Sequence, residues 1–366
     1  MQIMPRPLQT LVAGFIAGVW FLLTGCLWTP TPAYSQALNP NPPPTPVRLV
    51  FIHHSVGENW LNPDLESGGA LFTVLNDNQY FVSDTYYGWG PEDPDLGDNI
   101  GSRTDIGNWY NWFLGPHSGT NLPPLYTQTG SFPHPEWVNS MPDPNPGGQN
   151  EIVMFKSCYP NSAVLSGNPT DPPRQSSPGD PNPIWGRSEG ESEFYTVSNV
   201  KGMYRDLLSY FATRQDKLFI LITSPPVHPG EETIPGSINL ARAINTWLVY
   251  HWLDDYPYNN VAVFDFFNVL TSNGGETFIN DLGAAAGNHH RLRHGQVRYT
   301  IQTGGNYSAY ASGDSHPTAA GGQKATGEFV PLLNIAYHAW KGTGGRPWYM
   351  GRGPKAAPGL SLLLLN

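Results

Sequence analysis

The sequence predicts an α/β protein: a three-layer α/β/α sandwich around a mostly parallel five-stranded sheet. Three observations predict it. Five short, continuously apolar runs rich in β-formers recur along the chain, as suits buried parallel strands. Amphipathic segments of helical period separate the later runs. The alternation of the two patterns is that of a parallel sheet with crossover helices.

The first run is VRLVFIHH (47–54), the second YFVSDTYY (80–87), and the third EIVMFKS (151–157). KLFILIT (217–223) and NVAVFDF (260–266) complete the set. Between the third and fourth, Val200, Met203, Tyr204, Leu207, Leu208 and Phe211 recur at helical spacing within 198–215, with Ser198 as the expected N-cap. Ile238, Ala241, Ile244, Trp247 and Leu248 repeat the pattern within 237–255. A last helix is expected over 318–340, broken or kinked at Pro331. Three segments interrupt the alternation: 88–149, with one amphipathic piece at 104–113, then 158–196 and 273–312. Loops of this length in a compact domain are usually functional or disordered. Their Trp and Tyr content favours ordered substrate walls, and loops at the carboxyl ends of parallel strands build the site. There is no internal repeat.

Composition bounds the function. Of the 366 residues, 39% are hydrophobic, 13% aromatic and only 13% charged, which argues against global disorder. The 40 Gly and 37 Pro cluster between the periodic segments, as structured loops would require. A net charge of −10 makes nucleic acid a poor partner, because phosphate binding needs a basic surface.

The N-terminus reads as an export signal over 1–37. Arg6 is the only charge before residue 48, and the apolar run Leu11–Leu23 is short for a membrane span. Processing is expected at Ser35-Gln36-Ala37. A lipobox-like Leu23-Thr24-Gly25-Cys26 competes with it, and an uncleaved anchor is a third reading. The protein is therefore expected to be exported: periplasmic, secreted or lipid-anchored, with membrane contact only through a lipidated Cys26. Residues 38–46 are expected to form a Pro-rich linker, 47–341 the main α/β domain and 342–366 a tail without an assigned role. With Cys26 removed or lipidated, Cys158 has no disulfide partner.

Three motifs carry chemistry. His53-His54-Ser55-Val56-Gly57 falls where the first strand ends, and a serine there points out of the sheet edge. Its plainer reading is a helix cap. Gly313-Asp314-Ser315-His316-Pro317 precedes the last helix and supplies the acid/base half of a triad, or else a solvated turn. Lys156-Ser157-Cys158-Tyr159-Pro160-Asn161-Ser162 follows the third strand, where a side-chain amide could donate to an oxyanion. A nucleophilic Cys158 is the weaker alternative, since a buried cysteine is more often a small hydrophobe.

In this order the motifs resemble those of the SGNH (GDSL-like) hydrolases. The resemblance covers strand order and four short blocks. The first block reads HHS instead of GDS, the third lacks GxND, and the last is Asp-Ser-His instead of DxxH. It implies a flavodoxin-like fold, Ser55 as nucleophile and first oxyanion donor, His316 as general base and Asp314 as its partner. It also implies Asn161 and a glycine of TYYGWG, Gly88 or Gly90, as further oxyanion donors, with Gly107 a weaker choice. His54 and Trp89 are expected to touch substrate.

No cofactor and no metal are expected, because no HExxH or CxxC spacing is present. His53 and His54 joining Asp314, His316 or Asn288-His289-His290 around a metal is the alternative. Arg291, Arg293 and His294 could meet an anionic group or form a solvated face. The expected activity is that of an exported serine esterase acting on a small-molecule or carbohydrate ester. The rivals are a glycan-binding module without chemistry and a metal-dependent phosphodiester or sulfate-ester hydrolase.

Overall fold

A computed structural model describes residues 36–66, 68–141, 145–272, 288–301 and 306–351. Arg6, the Leu11–Leu23 run, Cys26 and the tail beyond Gly351 lie outside the described residues, so the export and lipidation readings are not addressed by it. Among the described residues no helix is long and apolar enough to cross a membrane.

In chain order the first elements are β1 (Val47–Ile52), α1 (Ser55–Leu61), α2 (Leu71–Asp77) and β2 (Tyr80–Thr85). A short pair β3 (Glu92–Asp93) and β4 (Asp98–Asn99), then α3 (Trp109–Phe113) and α4 (Ser118–Thr127), lead to β5 (Ile152–Lys156). After it come α5 (Val197–Thr213), β6 (Leu218–Ile222), α6 (Ser237–Tyr250), β7 (Val261–Phe264) and α7 (Phe266–Val269). A hairpin of β8 (His289–Arg293) and β9 (Gln296–Thr300) precedes α8 (Ala319–Trp340).

The central sheet has the order β2-β1-β5-β6-β7, and every pairing in it is parallel. This is the doubly wound order of flavodoxin-like folds. All five expected strands are present and wholly buried. Their alternate residues feed two separate cores. Leu49, Phe51, Met154 and Ile220 face the layer of α1, α2 and α8, centred on Trp60 and Phe329. Val50, Ile52, Phe155 and Phe219 face the layer of α3 to α6, centred on Trp109, Phe113 and Phe211. A strand sandwiched this way must be apolar on both sides, which is why the sequence runs are continuous instead of alternating.

Several expectations need correction. The cap of α5 is Thr196, whose Oγ1 accepts the Asn199 N–H at 3.2 Å, and not Ser198. The buried Val197 draws the first turn two residues earlier, and Ser198 Oγ donates instead to the Pro172 carbonyl. Helix α8 runs through Pro331 without ending. The proline orphans the carbonyl four residues back, at Gly327, which is exposed and can bond water. Part of 273–312, read as loop, is the β8–β9 hairpin. Its turn residues His294 and Gly295 both have positive φ, 50° and 71°, the signature of a two-residue hairpin turn.

The domain does not stop at 341. Tyr349 and Met350 are buried in the core, and Met350 bridges to Ala262 on the edge strand β7. Nor is 38–46 a detached spacer: Asn334 Nδ2 donates to the Pro40 carbonyl, and Gly345 N–H to that of Ala37.

Candidate active site

The strand order reverses between β1 and β5, and there the loops after their carboxyl ends diverge to leave a crevice. β1 ends at Ile52, two histidines turn the chain, and α1 begins at Ser55. Gly57 permits this turn: a Cβ there would stand 2.3 Å from the Cβ of His53. Ser55 therefore lies on the first turn of a helix, whose opening N–H groups have no intrahelical acceptor.

The crevice is a cleft of about 330 Å³ whose walls include Ser55, Tyr87, Arg103, Asp105, Cys158 and Glu189. Ser55 Oγ is 3.8 Å from Cys158 Sγ. The Tyr87 hydroxyl is pushed up to about 12 by burial, against the opposing pull of its hydrogen bond with Ser55, so it is a neutral partner there. Its ring, 48% exposed, stacks on His54 with centroids 3.8 Å apart.

His54 sits in the wall with both nitrogens committed. Nε2 lies 2.8 Å from the Gly101 carbonyl, which can only accept, so Nε2 carries the proton. Nδ1 then accepts from Thr104 Oγ1 at 3.0 Å. Burial lowers its pKa to about 3, which agrees with a neutral ring.

Asp314 and His316 meet. His316 Nδ1 is 3.2 Å from Asp314 Oδ1, and the His316 backbone N–H donates to the same oxygen at 2.8 Å. The two-residue spacing makes this double contact possible. Burial alone would raise the Asp314 carboxyl, but the hydrogen bonds from His316 and the ring's charge bring it below the usual range. Between them, Ser315 Oγ accepts the His228 N–H at 2.8 Å and donates to Glu231, which anchors the loop.

The pair and the cleft adjoin through Tyr159, which lines the cleft and has its ring 5.7 Å from that of His316. No hydrogen bond joins Ser55 to His316 among the described residues. The structure thus assembles Asp314 with His316, and Ser55 with Cys158 and Tyr87, on adjacent ground.

The other expected residues stand differently. Asn161 is buried and braces the opposite loop: its Oδ1 accepts the Ile106 N–H at 2.8 Å and its Nδ2 donates to Asp105 Oδ1 at 2.7 Å. The Gly88 N–H is taken by Ser102 Oγ, a wall residue, at 3.0 Å, and Gly88 itself does not line the cleft. Of the other two glycines, Gly90 has φ +80° with only the Ile100 side chain near, and Gly107 is packed between the carbonyls of Ile184 and Arg187. Trp89 is only 4% exposed, stacked on Trp112 with its Nε1 donating to Gln128, so it is core and not a substrate platform. His289 bonds Glu328, and His290 accepts the Asp265 N–H. Among the described residues neither converges with His53, His54 or the Asp314–His316 pair around a point where a metal could sit. Arg291 is buried on β8, which removes it from any solvated face.

Sequence reasoning missed the carboxyl pair Asp105 and Glu189. Burial and the Glu189 carboxyl push Asp105 well above the usual range, so it keeps its proton to higher pH than an ordinary aspartate. The pair is 84 residues apart in sequence, and Asp105 reads there as a turn cap, a task it also performs with Asn108.

No family model matches this chain, no curated protein matches it, and no solved structure matches it.

Proposed function

We propose that this protein is an ester hydrolase with Ser55 as nucleophile and His316, oriented by Asp314, as general base. The observation that carries the reading is the serine on the first turn of α1, in the cleft at the β1/β5 reversal, with the Asp314–His316 pair adjoining across Tyr159.

In the first step Ser55 Oγ adds to the ester carbonyl carbon while its proton passes to His316 Nε2. Collapse of the tetrahedral adduct expels the alcohol, which takes that proton, and leaves an acyl-serine. Water then repeats the sequence and releases the acid. His316 reaches Ser55 by tightening on substrate, as catalytic hydrogen bonds often do. The oxyanion is assigned to the first-turn N–H groups of α1, since the Asn161 amide and the Gly88 N–H already have partners. Exposed Tyr87 beside a polar cleft suits a short acyl group on a carbohydrate better than a long-chain lipid.

The missing Ser55–His316 hydrogen bond favours one second reading, a glycan-binding cleft on the same walls without chemistry. A fluorophosphonate probe with mass-spectrometric mapping separates the two. The expected result is an adduct on Ser55, absent in Ser55→Ala and slowed by about 10²-fold or more in His316→Ala. Folded protein that never labels ends the esterase reading and leaves glycan binding.

A further inference from the structure

We propose that His53, Glu58 and Asp84 form a binding site for a divalent transition-metal ion of the zinc class, directly behind the turn that carries Ser55. The three residues come from three places in the fold: the residue after β1, the first turn of α1 and the end of β2. Parallel pairing sets Asp84 beside Phe51, two residues before His53. One ligand atom from each converges, all within 4.8 Å of one another, and His53 Nε2 is 3.0 Å from Asp84 Oδ2. Ligands bound tetrahedrally at about 2.0–2.2 Å stand about 3.3 Å apart, so the His53–Asp84 edge is already close to metal-site spacing.

The outer partners leave one atom of each residue free to face an ion. His53 Nδ1 lies 3.1 Å from the His54 carbonyl, which can only accept, so Nδ1 carries the hydrogen and Nε2 presents a lone pair. That lone pair faces a carboxylate oxygen, an arrangement of two acceptors that needs a cation. Asp84 Oδ1 accepts the Phe132 N–H at 2.8 Å, which leaves Oδ2 for the site. Glu58 Oε1 is engaged by Asn62 Nδ2 at 2.9 Å and His134 Nε2 at 2.5 Å, while Glu58 Oε2 is buried without a hydrogen-bond partner. Each ligand is thus held by an outer contact that orients it, as in built metal sites.

A proton on His53 would satisfy the His53–Asp84 pair but leave Glu58 Oε2 unmatched. A metal ion satisfies all three. His53 and Asp84 are fully buried and the Glu58 side chain is 13% exposed, so the ion would be held away from bulk solvent. One imidazole nitrogen with two carboxylates suits zinc and its neighbours better than magnesium or calcium, which take oxygen alone.

The test is metal binding by the whole chain, stripped with a chelator and reloaded with Zn²⁺ or Co²⁺. One equivalent per chain is expected, with a Co²⁺ visible spectrum and a thermal midpoint that rises on loading. Glu58→Gln should weaken binding by about tenfold or more and abolish the thermal shift. Glu58 is at the rim, so this variant tests the site even where Asp84→Asn fails to fold, and circular dichroism of the stripped proteins checks that. The separate cluster Asp93, Asp95 and His117 supplies the control. No binding, equal affinity in Glu58→Gln, or binding lost instead in His117→Ala overturns the proposal.

Discussion

Two buried histidines couple the fold to pH without taking part in proton transfer. His54 is held neutral in the cleft wall, and His290 is enclosed by Phe264, Tyr299, Trp348 and Tyr349. Burial lowers both from 6.5 to about 3. A lowered histidine pKa means the unfolded chain binds the proton first. The stability each contributes is complete above 6.5 and is lost as pH falls toward 3. Between pH 7 and pH 5 the loss is about 2 kcal/mol for each ring. His290→Gln should therefore flatten the fall in urea-unfolding free energy over that interval by about 2 kcal/mol. A variant whose pH dependence matches the parent would show that the ring is not held neutral. For the site, the consequence is that His54 is a wall and not a base, so it does not compete with the role proposed for His316.

At the scale of elements, helices sit where glycines let backbones touch. A Cβ on Gly322 of α8 would stand 2.6 Å from the Gly69 Cα, a contact with backbone that no side-chain rotation relieves. Gly322→Ala should cost about 1–3 kcal/mol by equilibrium unfolding. Gly327→Ala, on an exposed position of the same helix, should gain about 0.5–1 kcal/mol. Equal effects at the two positions would refute the close-approach account. This contact also marks what could be read from sequence and what could not. The five strands were legible because burial on both faces demands unbroken apolar runs. α5 and α6 were legible because each buries one stripe; α8 is instead buried nearly all round over its second half. The Thr196 cap was not, because Thr196 and Ser198 are equally good caps until the packing of Val197 decides between them. The β8–β9 hairpin escaped because its polar, Arg-rich strands lack apolar alternation, although the His294-Gly295 turn was there to find.

For the whole molecule, the candidate site lies at the carboxyl edge of the sheet, which followed from the order of motifs along the chain, whereas its place at the reversal of strand order did not. The Ser55 turn and the Asp314–His316 loop each follow a strand or precede a helix at one sheet edge. The acidic wall and the proposed cation site were illegible because they join residues from distant loops and strands, and no local spacing encodes such a meeting. The boundaries of the fold were misread for a related reason: Gly- and Pro-rich segments look like linkers whether or not they dock. Here both ends dock. The Tyr349 hydroxyl donates to the Leu332 carbonyl at 2.8 Å, and the Tyr349 carbonyl accepts the Val263 N–H, so the tail covers the otherwise open edge of β7. Fully burying a side chain of this size contributes about 1.5–3 kcal/mol, so removing Tyr349 and Met350 together threatens a large part of a typical 5–15 kcal/mol. A chain ending at Lys341 should lose at least about 3 kcal/mol in urea unfolding or fail to accumulate as soluble protein, while a chain ending at Gly351 should be more stable than it by about that amount. If the Lys341 truncation unfolds at the parent's midpoint, the docked tail contributes nothing and the compact domain ends with α8.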